Sequence, residues 1–338
     1  MDKRNKRNKK LYRMYKKWLR DDEIDEGRGR FLTNMAQHFP ALFHELVGMN
    51  VGINESKIGF KTSLFGLFTC WLGETDEEYI DCNGCSTVLQ PIKNGFFLAH
   101  SDEESDEHVK LCPLVVAKIS LKTADKTSHF ISISHPFQLL GSAVGMNRNL
   151  AFQGNSIGYN EEISGKLQKT WCKRIPKTVF TRMMLEMSSI DEIEALYKNF
   201  GSTLPNHHYV VFSDKAYSIE VRPSAKKDLI VFELEGDKPH IHSNHFLNGD
   251  SHRWACSDKD EQESTQRRDF LNKKMESVKS AEDIQTKFLE FLEEYPSKKN
   301  KLINSTSGAF FFTIQQGKPL SCECKLYYDG TSFSVSTN

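Results

Sequence analysis

Apolar positions in the first third of the chain follow a helical rhythm. Met35, Phe39, Leu42, Phe43 and Leu46 recur at spacings of three and four, and Pro40 must bend or restart that helix. Residues 57–72 form a second apolar stretch, and an acidic connection through Glu74, Asp76, Glu77 and Glu78 then leads to Cys82 and Cys85. From Cys85 onward the texture is that of strands. The segment 86–92, the pair Asn94-Gly95 and the apolar run 96–100 predict a β-hairpin, with positive φ at both turn positions. Further strands are predicted at 114–121, 129–134, 149–157, 208–213, 216–222, 228–234, 310–314 and 320–328.

Two helices interrupt the strands. Ser189 with Glu192 reads as a capping box, Ile190, Ile193, Leu196, Tyr197 and Phe200 make the stripe, and Gly201 ends it. Ile284, Phe288, Leu289, Phe291 and Leu292 recur before Pro296 in the second. Strands in runs with helices between the runs favour mixed α and β layers over regular βαβ alternation. The polar stretch 251–268 reads as a loop and is the one linker candidate.

With 338 residues, 38% of them hydrophobic, the chain holds enough apolar surface for a sizeable core. Lys+Arg and Asp+Glu are both 45, so no net field attracts a polyanion, and nucleic acid is not an expected partner. The basic run 3–20 is followed at once by Asp21, Asp22, Glu23, Asp25 and Glu26, the composition of a solvated helix face; its alternative use is contact with an anionic lipid surface. No apolar h-region follows the basic run, and no segment approaches the roughly 18 apolar residues of a membrane span. A cytoplasmic protein with reduced cysteines is expected, its eight cysteines being scattered rather than densely spaced.

Gly84-Cys85 is the chemical centre of the sequence. A thiol at a strand start, preceded by a residue without Cβ, is placed to attack the carbonyl just before it. Hydrolysis of the resulting ester would free an α-amine on Cys85. With an unperturbed pKa of about 7.7–8.0, that amine takes the proton of a thiol that ionises at about 8.5.

Several segments in fixed order resemble the isopenicillin N acyltransferase family of N-terminal-nucleophile hydrolases. Gly84-Cys85-Ser86-Thr87 is similar to its nucleophile strand and Phe97 to Glu103 to the hairpin partner. Gly141 to Asn147 through Ala151 to Ser156 is similar to its Gly/Asn block, and His242-Ser243-Asn244-His245-Phe246 to its His-Thr-Asn-His-Phe. The resemblance implies a four-layer αββα sandwich of α+β class. It implies a helical leader, 1–84, ahead of the catalytic domain, 85–338, with self-cleavage between Gly84 and Cys85, so that the mature protein is a heterodimer of its own fragments.

By position, Cys85 becomes nucleophile and amine base, and a carboxylate at Glu103 or Asp102 orients the new amine. This chain departs from the family there, having Ser101-Asp102-Glu103 where Asn-x-Asp is usual. The oxyanion donor falls to His208, with Asn206 and His207 beside it. Asn155 and His245 are expected at the substrate pocket, Asn147 at a strand turn, and Glu220 as a structural partner of the site. The implied activity is hydrolysis of a linear amide in a small N-acyl substrate through an acyl-Cys85 intermediate, without metal or organic cofactor. Acyl-CoA-dependent N-acyl transfer is the alternative, and a catalytically altered binding protein on the same fold is another. A rival reading joins Cys82-x-x-Cys85 and Cys322-x-Cys324 as four zinc thiolates, or takes the first pair as a redox motif.

Overall fold

The computed structural model describes residues 26–56, 84–103, 114–122, 127–135, 138–141, 144–159, 174–222, 228–248, 258–278, 280–296, 301–327 and 330–337. The basic run, the apolar stretch 57–72 and Cys82 lie outside them. The helical rhythm of the first third is two helices, α1 (Glu26–His38) and α2 (Pro40–Glu55). Pro40 is the first residue of α2, a position whose N–H has no helical partner, so the helix restarts there.

β1 (Cys85–Ile92) and β2 (Gly95–Glu103) form the predicted hairpin, with Ile92 opposite Gly95. The turn residues are therefore Lys93 and Asn94, one position earlier than expected, and Asn94 takes φ 61°. Gly95 is needed for closeness instead: a Cβ there would lie 2.0 Å from the Ile314 carbonyl of β11 (Thr306–Gln315).

The other strands are β3 (Val115–Lys122), β4 (Thr127–Ser134), β5 (Val144–Asn147), β6 (Leu150–Ser156), β7 (Asn206–Phe212), β8 (Ala216–Arg222), β9 (Asp228–Glu233), β10 (His240–His242), β12 (Ser321–Leu326) and β13 (Ser332–Ser336). They build two antiparallel sheets, ordered β10-β1-β2-β11-β12-β13 and β3-β4-β5-β6-β7-β8-β9. The remaining helices are α3 (Lys177–Met184), α4 (Ile190–Phe200), α5 (Asp258–Met275) and α6 (Ala281–Glu294). α4 starts and stops as read: Ser189 accepts from the Glu192 amide, and Gly201 takes φ 67°. The stretch expected to be a loop at 251–268 instead supplies most of α5.

Two-residue alternation along the strands sorts side chains into layers. Leu89, Leu98, Phe310 and Phe312 of the first sheet meet Ile131, Ile133, Met146 and Val211 of the second. Val88, Phe97, Ala99 and Phe311 point the other way, onto Leu271, Ile284, Phe288 and Phe291 of α5 and α6. Phe152, Val210 and Ile219 of the second sheet face Phe180, Ile193 and Tyr197 of α3 and α4, together with Met35, Leu42 and Leu46 of α1 and α2. The result is the four-layer αββα sandwich.

The Gly141–Asn147 block serves this packing. Asn147 Nδ2 donates to the Leu185 carbonyl at 2.8 Å, and a Cβ on Gly145 would press Leu185 Cδ1 at 3.0 Å. The block docks the end of α3 on the second sheet.

Candidate active site

Cys85 heads β1 and is 7% exposed. Counting back from Leu89 by twos places Cys85 and Thr87 on the face between the sheets, and Ser86 on the face toward α5 and α6. In β2 the inward set is Leu98, His100 and Asp102, and the outward set ends in Ser101 and Glu103. Asp102 is the direct cross-strand neighbour of Cys85, with Oδ1 3.9 Å from Sγ. Its other oxygen is 3.1 Å from Nε2 of His135, which follows β4. A register shift in β11 between Thr306 and Gly308 falls opposite this end of β2, a common place for a bulge beside a site.

The Gly84–Cys85 peptide is held at both polar groups. The Glu103 amide donates to the Gly84 carbonyl at 2.8 Å, and the Cys85 amide donates to Asn244 Oδ1 at 2.9 Å. Arg267 of α5 ties these holders together, donating through Nη1 to Glu103 Oε2 at 3.0 Å and through Nη2 to Asn244 Oδ1. Its guanidinium also occupies the side-chain space of residue 84: a Cβ on Gly84 would lie 1.6 Å from Nη1. Glycine is thus imposed here by close approach. Burial pushes the Glu103 carboxyl up to about 8, against the opposing pull of Arg267.

A second chain of bonds fixes Cys85 from the opposite sheet. Asn155 Nδ2 donates to the Cys85 carbonyl at 3.0 Å, and its Oδ1 accepts from the Thr87 hydroxyl at 2.9 Å. That hydroxyl has one proton, so the 2.9 Å contact with His100 Nδ1 makes His100 the donor. Burial holds His100 neutral, lowering its pKa to about 4. Beyond Thr87, His242 stacks on His207 with ring centroids 3.5 Å apart, and burial lowers both well below the usual histidine range.

The structure gathers Cys85, Asp102, Glu103 and Asn155 and sets two expected donors apart. Asn206 and His208 share the face of β7 that carries Val210, toward the helices. His208 lies near the rings of Phe152 and Phe180, and its Nδ1 meets the Gln153 carbonyl. The inward residue is His207, opposite Asn155. His245 has both ring nitrogens engaged with α5, Nδ1 with Ser264 Oγ at 2.7 Å and Nε2 with Arg268 at 3.2 Å, so it secures that helix. Glu220 is buried and accepts from the amides of Leu247 and Asn248, fixing the loop after Asn244. Asn244, Arg267 and His135 were not anticipated as site residues. Of these only Asn244 carried a signal, as the centre of its His-x-x-His segment.

Zinc is not supported by this geometry. Cys322 and Cys324 lie on β12, three inter-strand spacings of about 4.8 Å from β1. Two thiolates on one zinc lie under about 5 Å apart. Among the described residues no group of three His, Cys, Asp or Glu could hold a metal, and no helix is long and apolar enough to cross a membrane.

An αββα sandwich with a cysteine heading an inner strand defines the N-terminal-nucleophile hydrolase class of fold. Residues 93–317 match the model of the acyl-coenzyme A:6-aminopenicillanic acid acyl-transferase family, and the chain belongs to that family. Hydrolase or acyltransferase chemistry is therefore its class of activity. The matched segment begins just after β1, so Cys85 lies outside it. The chain is similar to the Caenorhabditis elegans N-acylethanolamine-hydrolyzing acid amidase (NAAA) ortholog, at 14% identity, covering 69% of this chain and 94% of that one, with a TM-score of 0.49. No curated protein matches the chain.

Proposed function

We propose that the protein is a self-processing cysteine amidohydrolase that cleaves the linear amide bond of a small N-acyl substrate through an acyl-Cys85 intermediate. The observation that carries this reading is the grip on Gly84–Cys85, its carbonyl held by the Glu103 amide and its nitrogen by Asn244, with the thiol on the inter-sheet face beside Asp102. Cleavage there releases the α-amine, which then takes the thiol proton during turnover. Asn244, whose side chain already touches the Cys85 nitrogen, is the amide within reach of an acyl oxygen on Cys85. Glu103 orients the amine indirectly, through Arg267 and Asn244.

The leader, 1–84, stays attached after cleavage in this reading. Met35, Phe39, Leu42, Leu46 and Ile53 are all buried in the layer outside the second sheet, and Phe39 packs on Phe200 with ring centroids 4.8 Å apart. At roughly 1.5–3 kcal/mol per buried side chain, that contact outlasts the loss of one peptide bond.

Intact mass of the wild type beside Cys85→Ala tests the proposal. Fragments 1–84 and 85–338, eluting together, are expected from the first and a single chain from the second. An uncut wild type that also leaves N-acyl amides untouched would sink it. Acyl transfer to an amine is the second reading, favoured by the family match, and adding an acceptor amine to the same assay separates the two.

A further inference from the structure

The amine that serves turnover does not exist while the chain is uncut. The Cys85 nitrogen is then an amide whose hydrogen is already given to Asn244, and it accepts no proton. The first attack on Gly84 needs a different base. Asp102 is in position, directly opposite Cys85 in register, with Oδ1 3.9 Å from Sγ. By model values a carboxylate alone removes a thiol proton against a disadvantage of roughly 10^4-fold, and an imidazole against roughly 10^2-fold. That imidazole is His135, whose Nε2 is 3.1 Å from Asp102 Oδ2. Both side chains are largely shielded, at 6% and 14% exposure.

We propose that Asp102 and His135 together form the base for self-cleavage, and that the Cys85 α-amine replaces them once the chain is cut. This rests on the self-cleavage reading above. The thiol proton passes from Sγ to Asp102 Oδ1, and rotation of the carboxyl about Cβ–Cγ presents it to His135 Nε2. The thiolate attacks the Gly84 carbonyl carbon, forming the C–S bond. The C–N bond then breaks and the proton returns, through Asp102, to the departing Cys85 nitrogen. Water hydrolyses the thioester, giving a Gly84 carboxylate and a free thiol. Among the described residues, the other titratable groups whose charges couple to Asp102 are His100, two positions along the same face, and Glu103, on the reverse face with Arg267.

The test is a time course of cleavage in full-length chain made by cell-free translation, quenched with N-ethylmaleimide at intervals between pH 5.5 and 8.5. The wild-type rate should rise through one ionisation in the histidine range. Asp102→Asn and His135→Gln should cut at least 30-fold more slowly without that inflection; the glutamine keeps a donor toward Asp102 and so protects the fold. His135→Gly should regain cleavage with added imidazole, in proportion to the basicity of the imidazole used. Variants that cut at the wild-type rate with the wild-type pH profile overturn the dyad and leave self-cleavage standing. Folded variants that stay uncut and are not rescued by imidazole also overturn it, because a purely structural contact behaves that way. A wild type that never cuts removes the self-cleavage reading and this one with it.

Discussion

Asn244 Oδ1 accepts the amide hydrogen of Cys85 at 2.9 Å, across 159 positions of chain, and Arg267 donates to the same oxygen. One side-chain oxygen thus joins the head of β1, the loop after β10 and α5. Asn244→Leu keeps the volume and leaves both donors without their acceptor. Loss of one such positioned group typically costs 10^2–10^3 in rate. Self-cleavage, followed by intact mass, should slow by about that factor.

Removing Arg267 leaves the buried Glu103 carboxyl without its cation. Breaking a buried pair from one side costs about 3–5 kcal/mol, and Arg267→Met should lose that much in urea unfolding. Glu103→Gln should cost less, because burial already pushes that carboxyl up to about 8 and glutamine resembles its neutral form. The double variant should recover more than half of the Arg267→Met loss.

His208→Phe separates the expectation from sequence from the observed placement. The ring sits by Phe152 and Phe180, and burial lowers its pKa to about 3. Phenylalanine fits such neighbours, so cleavage and turnover should stay within about threefold of wild type. A loss of 10^2 or more would return the oxyanion role to His208.

The buried histidines make the fold sensitive to acid. His100, His207, His208, His242 and His245 all have folded pKa values below the ordinary 6.5, chiefly through burial. Their contribution is complete above pH 6.5 and is lost as pH falls toward the folded values, because the unfolded rings take protons first. Between pH 7.5 and 5.5 each ring costs about 1.4 kcal/mol. Glu103 acts in the opposite sense, its raised pKa favouring the folded state as pH falls, and returns about 2 kcal/mol over the same range. The net loss is on the order of 4 kcal/mol, and Tm should fall by about 10 °C between those two pH values.

The sequence carries the layers well because the strands of this chain are apolar on their inward faces and the helices are capped where Ser189 and Gly201 fall. It carries the site unevenly. Taking the turn as Asn94-Gly95 would put Glu104 opposite Cys85; the actual turn at Lys93 and Asn94 puts Asp102 there. β7 is buried on both sides, so no polar alternation tells His207 from His208. α5 was taken for loop because its inward face reads Ser264, Arg267, Leu271, Met275, and the half of that stripe nearest the nucleophile is polar. His135 reaches Asp102 only through the stacking of two sheets, which no local pattern records.

The guanidinium that fills the missing side chain of Gly84 has a further effect once the bond is cut. The new end of the leader is a carboxylate lying beside a cation, within the space an acyl group must enter. The severed leader is therefore the first inhibitor this enzyme meets, and its withdrawal from Arg267, rather than the cut itself, sets the moment at which the pocket opens for business with other molecules.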